Sequence, residues 1–386
     1  MSNSGLSSTT NIVRPKSVLA YLRRGVEEMH PAYFAMVMAT GIVSIACHFA
    51  DMVAASHVLF WIGVPAYFVL WVLSAVRLIF FPRQVLADLA SHQRGPGFFT
   101  MVAATGVVGV QLELLFGATQ LAVGLWWAAL ALWFMLTFSI FVLLSVKEKK
   151  PALSEGINGG WLLAVVATQA VVVLGCAVGP ERIAERDMSL FILTSLWLCG
   201  GMLYIWMISL IFYRYMFFKF DPSDLMPPYW INMGAVAIST LAGARLAGAS
   251  AGSPLLEQLS PFIKGFSLMF WATATWWIPL LVILGVWRHR VRGLRIIYDP
   301  LYWGLVFPLG MYSVCTLQLA KVLNAPFLLV VSKAFVVISL SAWLLTFFGL
   351  AAQFLYLLLL ARRSLRRTRS NQKTSNPGGS YEPASS

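Results

Sequence analysis

The sequence predicts an all-α integral membrane protein whose ten transmembrane helices form five helical hairpins, the odd helices inner and the even helices outer. Three observations predict it: apolar runs of span length, basic residues confined to alternate connections, and a motif that recurs in the odd-numbered runs. Hydrophobic residues make up 59% of the 386 and charged residues only 11%, against roughly 45–50% and about 25% in soluble domains. Mean hydropathy is +0.77, too high for a single anchor on a soluble domain.

About 20 mainly apolar residues cross the hydrocarbon core. Such runs occupy 31–49, 57–80, 97–116, 119–146, 158–178, 188–213, 229–249, 260–287, 301–321 and 328–361. Several exceed the minimum and must tilt or protrude. The third and fourth are divided only by Gly117-Ala118-Thr119.

Of the 28 Lys and Arg, 22 fall in the N-terminal arm, in 77–94, 147–150, 214–219 and 288–295, and in the C-terminal tail. These segments alternate with the others, which places both termini in the cytoplasm and the chain in a plasma or inner membrane. The six exceptions are Arg182, Arg186, Arg245, Lys264, Lys321 and Lys333.

Three segments follow. Residues 1–29 form a cytoplasmic arm with no secretory signal, in which Val18, Leu19, Leu22 and Val26 share a helical face suited to the membrane interface. Residues 30–361 form the transport domain. Residues 362–386 begin with a juxtamembrane run, Arg362, Arg363, Arg366, Arg367 and Arg369, that suits anionic headgroups, and then become too polar to order.

Some classes are excluded early. The net charge of +13 lies in short clusters between spans and forms no nucleic-acid surface. Cys47, Cys176, Cys199 and Cys315 stand singly in apolar runs, so no disulfide framework or metal site is expected, and no cofactor. No HExxH, paired buried Asp or Ser/Lys constellation lies within a span, which argues against a membrane-embedded enzyme.

The odd spans resemble one another. Tyr33, Phe34, Met36, Ala39, Thr40 and Gly41 in the first match Phe98, Phe99, Met101, Ala104, Thr105 and Gly106 in the third. The fifth keeps an aromatic start at Trp161 and Ala167-Thr168, with Gln169 in place of the glycine. The ninth keeps Tyr302-Trp303 and Gly310, while the seventh, around Trp230, Met233 and Gly234, fits loosely. Small residues and Thr at matching heights either pack helices closely or line a passage with hydroxyls and bare backbone. Internal repeats commonly build a pathway at their interface. On this reading Thr40, Gly41, Thr105, Gly106, Thr168, Met233, Gly234 and Gly310 line a pore. The alternative for the threonines is a bond to their own i−4 carbonyl.

His30, Pro31, Tyr33 and Phe34, followed by Met38, Ala39, Thr40, Gly41 and Ile42, resemble the first helix of the tellurite-resistance/C4-dicarboxylate transporter family. That family also takes in malate and sulfite permeases and plant slow anion channels. Trp230 to Ala235 and Tyr302 to Gly310 are similar to its patterns in the seventh and ninth helices. The resemblance covers nearly all of residues 30–360. It implies five hairpins around a quasi-fivefold axis, a central pore in each protomer, homotrimers in the bilayer, and a small anion as substrate. It also implies a phenylalanine plug in the ninth helix, which by motif is Phe307, beside Pro308. A proline there interrupts the helix ladder and aims the ring at the axis, and a bulky apolar ring in a narrow tube gates by dewetting.

Arg245, Lys264, Lys321 and Lys333 end odd spans or start even ones on the outer side and suggest a positive vestibule, or else snorkelling residues beside nearby carboxylates. His30, at the inner lip, is either a cap or a proton-linked group. Two functions stay open: an anion channel gated by an aromatic plug, and a proton-coupled permease for an organic acid such as malate, or for sulfite or tellurite. The second needs a titrating group in the path, for which His30, His48 and Glu113 are the candidates.

Overall fold

In a computed structural model of the chain, the described residues are 18–219, 221, 224–294 and 298–374. The expectations made for 1–17 and 375–386 lie outside them. Among the described residues two compact units emerge, residues 30–351 and the pair of segments 18–29 and 352–374. In the latter, a short helix spans Val18–Glu27, and an exposed ion pair joins Arg24 to Glu28 at 2.8 Å.

Among the described residues there are ten long helices: α1 Ala35–Phe49, α2 Val53–Phe80, α3 Phe99–Phe116, α4 Thr119–Val146, α5 Leu163–Val178, α6 Arg186–Phe217, α7 Ile231–Gly248, α8 Pro254–Val286, α9 Trp303–Val322 and α10 Leu328–Thr374. Gly117 makes the weak boundary real. It caps α3 with φ of +60°, a left-handed conformation that favours glycine. The last helix passes the expected end at 361 and continues to Thr374. No Gly or Pro intervenes before Pro377, and Arg, Leu and Lys propagate a helix well.

Among the described residues, nine helices are long and apolar enough to cross a membrane, and the chain is a multi-pass integral membrane protein. The seventh expected span is not one of the nine. Its helix, α7, carries Asn232, Ser239, Thr240 and Arg245, and all its residues but Arg245 and Gly248 are buried. It packs against α5, α6, α8 and α9. A helix wrapped by protein meets its polar groups there and needs no lipid-compatible face.

Burial separates the helices into two classes. The spans built on α1, α3, α5 and α9 are 72–83% buried, whereas those on α2, α4, α6, α8 and α10 are 22–44% buried. The odd helices touch in cyclic order, α1 to α3 to α5 to α7 to α9 and back to α1. Outside them the even helices expose rings such as Trp61, Phe68, Phe134 and Phe348, as a surface facing hydrocarbon requires.

A hydrogen bond ties every outer helix to the inner helix that follows it. Tyr67 pairs with Thr105 at 2.9 Å and Trp133 donates to Thr168 at 2.7 Å. Trp197 donates to the Ser239 carbonyl at 2.9 Å, and Trp271 to Thr316 at 2.9 Å. Trp343 of α10 returns to Thr40 of α1 at 2.9 Å. Such bonds between membrane helices contribute about 0.6 kcal/mol each on average.

Candidate functional site

All five inner helices start in the same way. A short 3₁₀ turn precedes each: Pro31–Phe34, Gly95–Phe98, Gly159–Leu162, Pro227–Trp230 and Pro300–Tyr302. Proline suits these positions because the first N–H groups of a helix have no partner within it. Three turns are capped by the side chain before them: His30 Nδ1 accepts from the Ala32 N–H at 3.1 Å, Asn158 from Gly160 at 2.8 Å, and Asp299 from Leu301 at 2.7 Å.

These five starts surround a cavity of about 710 Å³. At its wide level it is lined by Ala32, Gly97, Gly160, Pro228 and Leu301, one residue from each start. One turn further in it is lined by Ala35, Thr100, Leu163, Ile231 and Gly304, and it ends against Met38 and Phe307. Beyond Phe307 the space shrinks to about 20 Å³, room for roughly one water. Ile42, Val107, Ala170, Ile238 and Met311 line that section, followed by Ile45, Val110, Val173, Leu241 and Val314. The spacing along the chain is the same in every helix, including α7, whose motif fits the repeat poorly.

Charge collects around the wide end. Arg94, Arg214, Lys219, Glu155 and Asp224 line the cavity. Behind Arg94, the single carboxylate of Asp88 bonds both Arg77 at 2.7 Å and Arg94 at 2.7 Å. Arg214 reaches Asp224 at 3.4 Å, the Ile157 carbonyl at 2.8 Å and the Tyr229 hydroxyl. The positive ends of five helix dipoles add to these cations, each equivalent to about half an elementary charge. Sequence reasoning missed this convergence, although the Pro and Gly before each odd span were its signal.

His30 lines the cavity and caps its own helix start. Burial, and then the neighbouring Arg94, pushes its pKa down to about 4. With Nδ1 accepting from Ala32, the ring proton sits on Nε2 and the imidazole is neutral at physiological pH. The unfolded imidazole titrates near 6.5, so between pH 6.5 and about 4 the unfolded chain binds a proton that the folded chain refuses. The contribution to stability is therefore complete above pH 6.5 and is lost as pH falls through that window. The melting temperature of the detergent-solubilised protein is expected to decline over it, and His30→Gln to remove that part of the decline; an identical profile in the variant would refute the assignment.

The residues expected to line a pore by register are placed differently. The hydroxyls of Thr40, Thr105 and Thr168 turn outward to Trp343, Tyr67 and Trp133, and the last two also bond their own i−4 carbonyls. Gly41 faces Val107 and Gln111 of α3, and Gly310 faces Ile42 and Val43 of α1. A Cβ on Gly234 would lie 2.7 Å from the Pro308 ring, so that glycine makes room for the proline. Met233 is fully buried and lines neither space. Of the group, Gly106 alone borders the narrow section. Small residues at these heights let neighbouring backbones approach, and the faces one position away line the space. Phe307 is buried, 1% exposed, and lines the wide cavity, one turn before Met311 of the narrow section. Arg245 lies at the far end of the narrow section. Lys321 shares the Phe49 ring with it, whereas Lys264 is half-buried and Lys333 exposed, and neither lines either space.

A family model described as voltage-dependent anion channel matches residues 28–351. A sulfite efflux pump of Trichophyton rubrum is 26% identical over 346 residues, covering 83% of this chain and 90% of that protein. A transporter of Methanocaldococcus jannaschii is 25% identical over 304 residues, 77% of this chain and 86% of that one. A membrane protein of Mycobacterium tuberculosis is 37% identical over 145 residues, 38% of this chain and 73% of its own length.

Proposed function

The chain belongs to the voltage-dependent anion channel family, and we propose that it passes small anions, sulfite and related oxyanions among them, down the axis of its five inner helices with Phe307 as the gate. The observation that carries this reading is the convergence of five helix N-termini and the cations Arg94, Arg214 and Lys219 on one cavity that stops at Phe307. Helix N-termini attract anions through their dipoles and free N–H groups. An anion would shed water on leaving that cavity, because the next section holds about 20 Å³, and dehydration against an apolar ring is how a closed pore resists ions.

In this reading the wide cavity opens to the cytoplasm. The alternation of Lys and Arg along the chain supports that orientation. Passive movement is favoured over proton coupling because, among the described residues, no carboxylate or imidazole lines the narrow section beyond the wide cavity.

The test is flux from liposomes holding the purified full chain, with sulfite, nitrate, chloride and malate, each with and without a pH gradient. Flux of at least one anion, indifferent to the gradient, is expected. No flux for any of them would sink the conduit, and flux that follows the gradient would replace the channel by the coupled permease.

A further inference from the structure

Beyond Phe307 the path is apolar until its far end, where one charge enters it. Arg245 is the charged residue lining the narrow section; its companions there are aliphatic, methionine or glycine. Its Cζ lies 6.0 Å from the centroid of the Phe49 ring, and Lys321 Nζ lies 5.6 Å from the same centroid. Two cations thus converge on one aromatic ring, whose quadrupole tolerates both.

Among the described residues no ion pair neutralises either cation. The ion pairs of the described residues engage Arg24, Arg77, Arg94, Arg182 and Arg214. Glu113 Oε1 pairs with Arg182 at 3.7 Å, and Arg186 turns to the carbonyls of Ala249 and Ala251. Arg245 Nε is buried with no hydrogen-bond partner. A guanidinium left in this state at the rim of an apolar passage is costly unless a counter-ion reaches it.

Helix polarity supplies the reason for charge at this position. The inner helices all begin around the wide cavity, so their C-terminal ends, with negative partial charge, face an anion at the other end. Arg245 and Lys321 stand in the last turns of α7 and α9 and offset that field where it opposes passage.

We infer that Arg245, assisted by Lys321, forms a second anion-binding station at the far end of the conduit, and that its planar guanidinium selects small oxyanions over halides. This rests on the conduit reading of the same axis. A guanidinium offers paired N–H donors matched to two oxygens of an oxyanion, whereas a lysine ammonium acts as a point charge that suits a halide equally well.

The experiment compares the full-length wild type, Arg245→Lys and Arg245→Gln in liposomes loaded with nitrate, sulfite or chloride. Arg245→Gln is expected to lower flux of all three by roughly ten- to hundredfold, the loss of a charge-assisted hydrogen bond. Arg245→Lys should keep chloride flux within about threefold while oxyanion flux falls about tenfold. Because Arg245→Lys keeps the charge, it remains informative even if Arg245→Gln does not fold. Wild-type flux in folded Arg245→Gln overturns the station, and equal loss of chloride and oxyanions in Arg245→Lys overturns the selectivity. A wild type that passes no anion overturns instead the conduit itself.

Discussion

Phe307→Ala is expected to raise anion flux by roughly ten- to hundredfold, equivalent to removing about 1.4–2.8 kcal/mol from the barrier. The ring lines a cavity of about 710 Å³, and along α9 it stands between Gly304 of that cavity and Met311 of a section of about 20 Å³; on the gate proposal, its removal joins the two. Its backbone position is held from both sides. Pro308 seats its ring against Gly234 on α7, and Gly304, one turn earlier, lines the cavity. Truncating a buried phenylalanine typically costs 3–5 kcal/mol; here one side of the ring borders open space, so the cost falls toward the lower end. Flux is therefore read beside the melting temperature, with Phe307→Leu as an intermediate in size. Unchanged or reduced flux in a folded Phe307→Ala protein removes the gate assignment.

Asp88→Asn is expected to destabilise the fold by about 3–5 kcal/mol, the usual effect of stripping one partner from a buried ion pair. One carboxylate serves two guanidiniums here: Arg77 Nη2 meets Oδ2 at 2.7 Å and Arg94 Nε meets Oδ1 at 2.7 Å. The Arg77 side chain is 4% exposed and that of Asp88 12%. Neutralising Asp88 removes the carboxylate shared by two cations, Arg77 with a side chain 4% exposed and Arg94 with one 34% exposed, just before the turn that starts α3. A sharp fall in the yield of monodisperse protein and in melting temperature is the readout. Glu28→Gln, in the exposed pair with Arg24, serves as the control and should change nothing measurable. A loss below about 1 kcal/mol for Asp88→Asn would show that the cluster does not hold this end together.

Much of the architecture was legible because membrane helices obey few rules. Span length, alternation of basic connections and recurrence of small residues each report a large energy; together they predicted a helical membrane protein, and the odd spans α1, α3, α5 and α9 are the more buried ones. α7 shows the limit of hydropathy as a guide: its polarity reflects the protein around it, which a linear sequence does not display. The glycine missing from the fifth span has a physical explanation in the structure. Gln169 fills that position and donates to the Trp197 carbonyl at 3.0 Å, and the space it needs is conceded by Gly200 on α6. A small residue at the contact is retained, but on the other helix.

The candidate site was read less well, for a geometric reason. Register along a helix gives height, but the side that faces the axis depends on rotation, and one residue changes direction by about 100°. Thr40, Thr105 and Thr168 share a height and point away from the axis, toward indoles and a phenol on the outer helices. Phe307, singled out by motif, is buried and lines the wide cavity; its part as a gate remains the proposal that the flux experiment tests. The clamp on Asp88 joins residues separated by a turn and a short helix, Pro82–Leu89, and no local pattern announces it.

The bond from Trp343 to Thr40 spans 303 residues of chain, and this has a consequence for biosynthesis. Four of the five ties between neighbouring hairpins join elements close in sequence, so each can form as soon as its second member enters the membrane. The fifth cannot. Thr40 of α1 must wait for Trp343 of α10, which leaves a seam beside α1 until α10 has entered the membrane. Interactions between distant parts of a chain are slow to form because the intervening loop must close first. The seam between α1 and α10 is therefore the contact in the ring whose closure depends on the longest intervening stretch of chain.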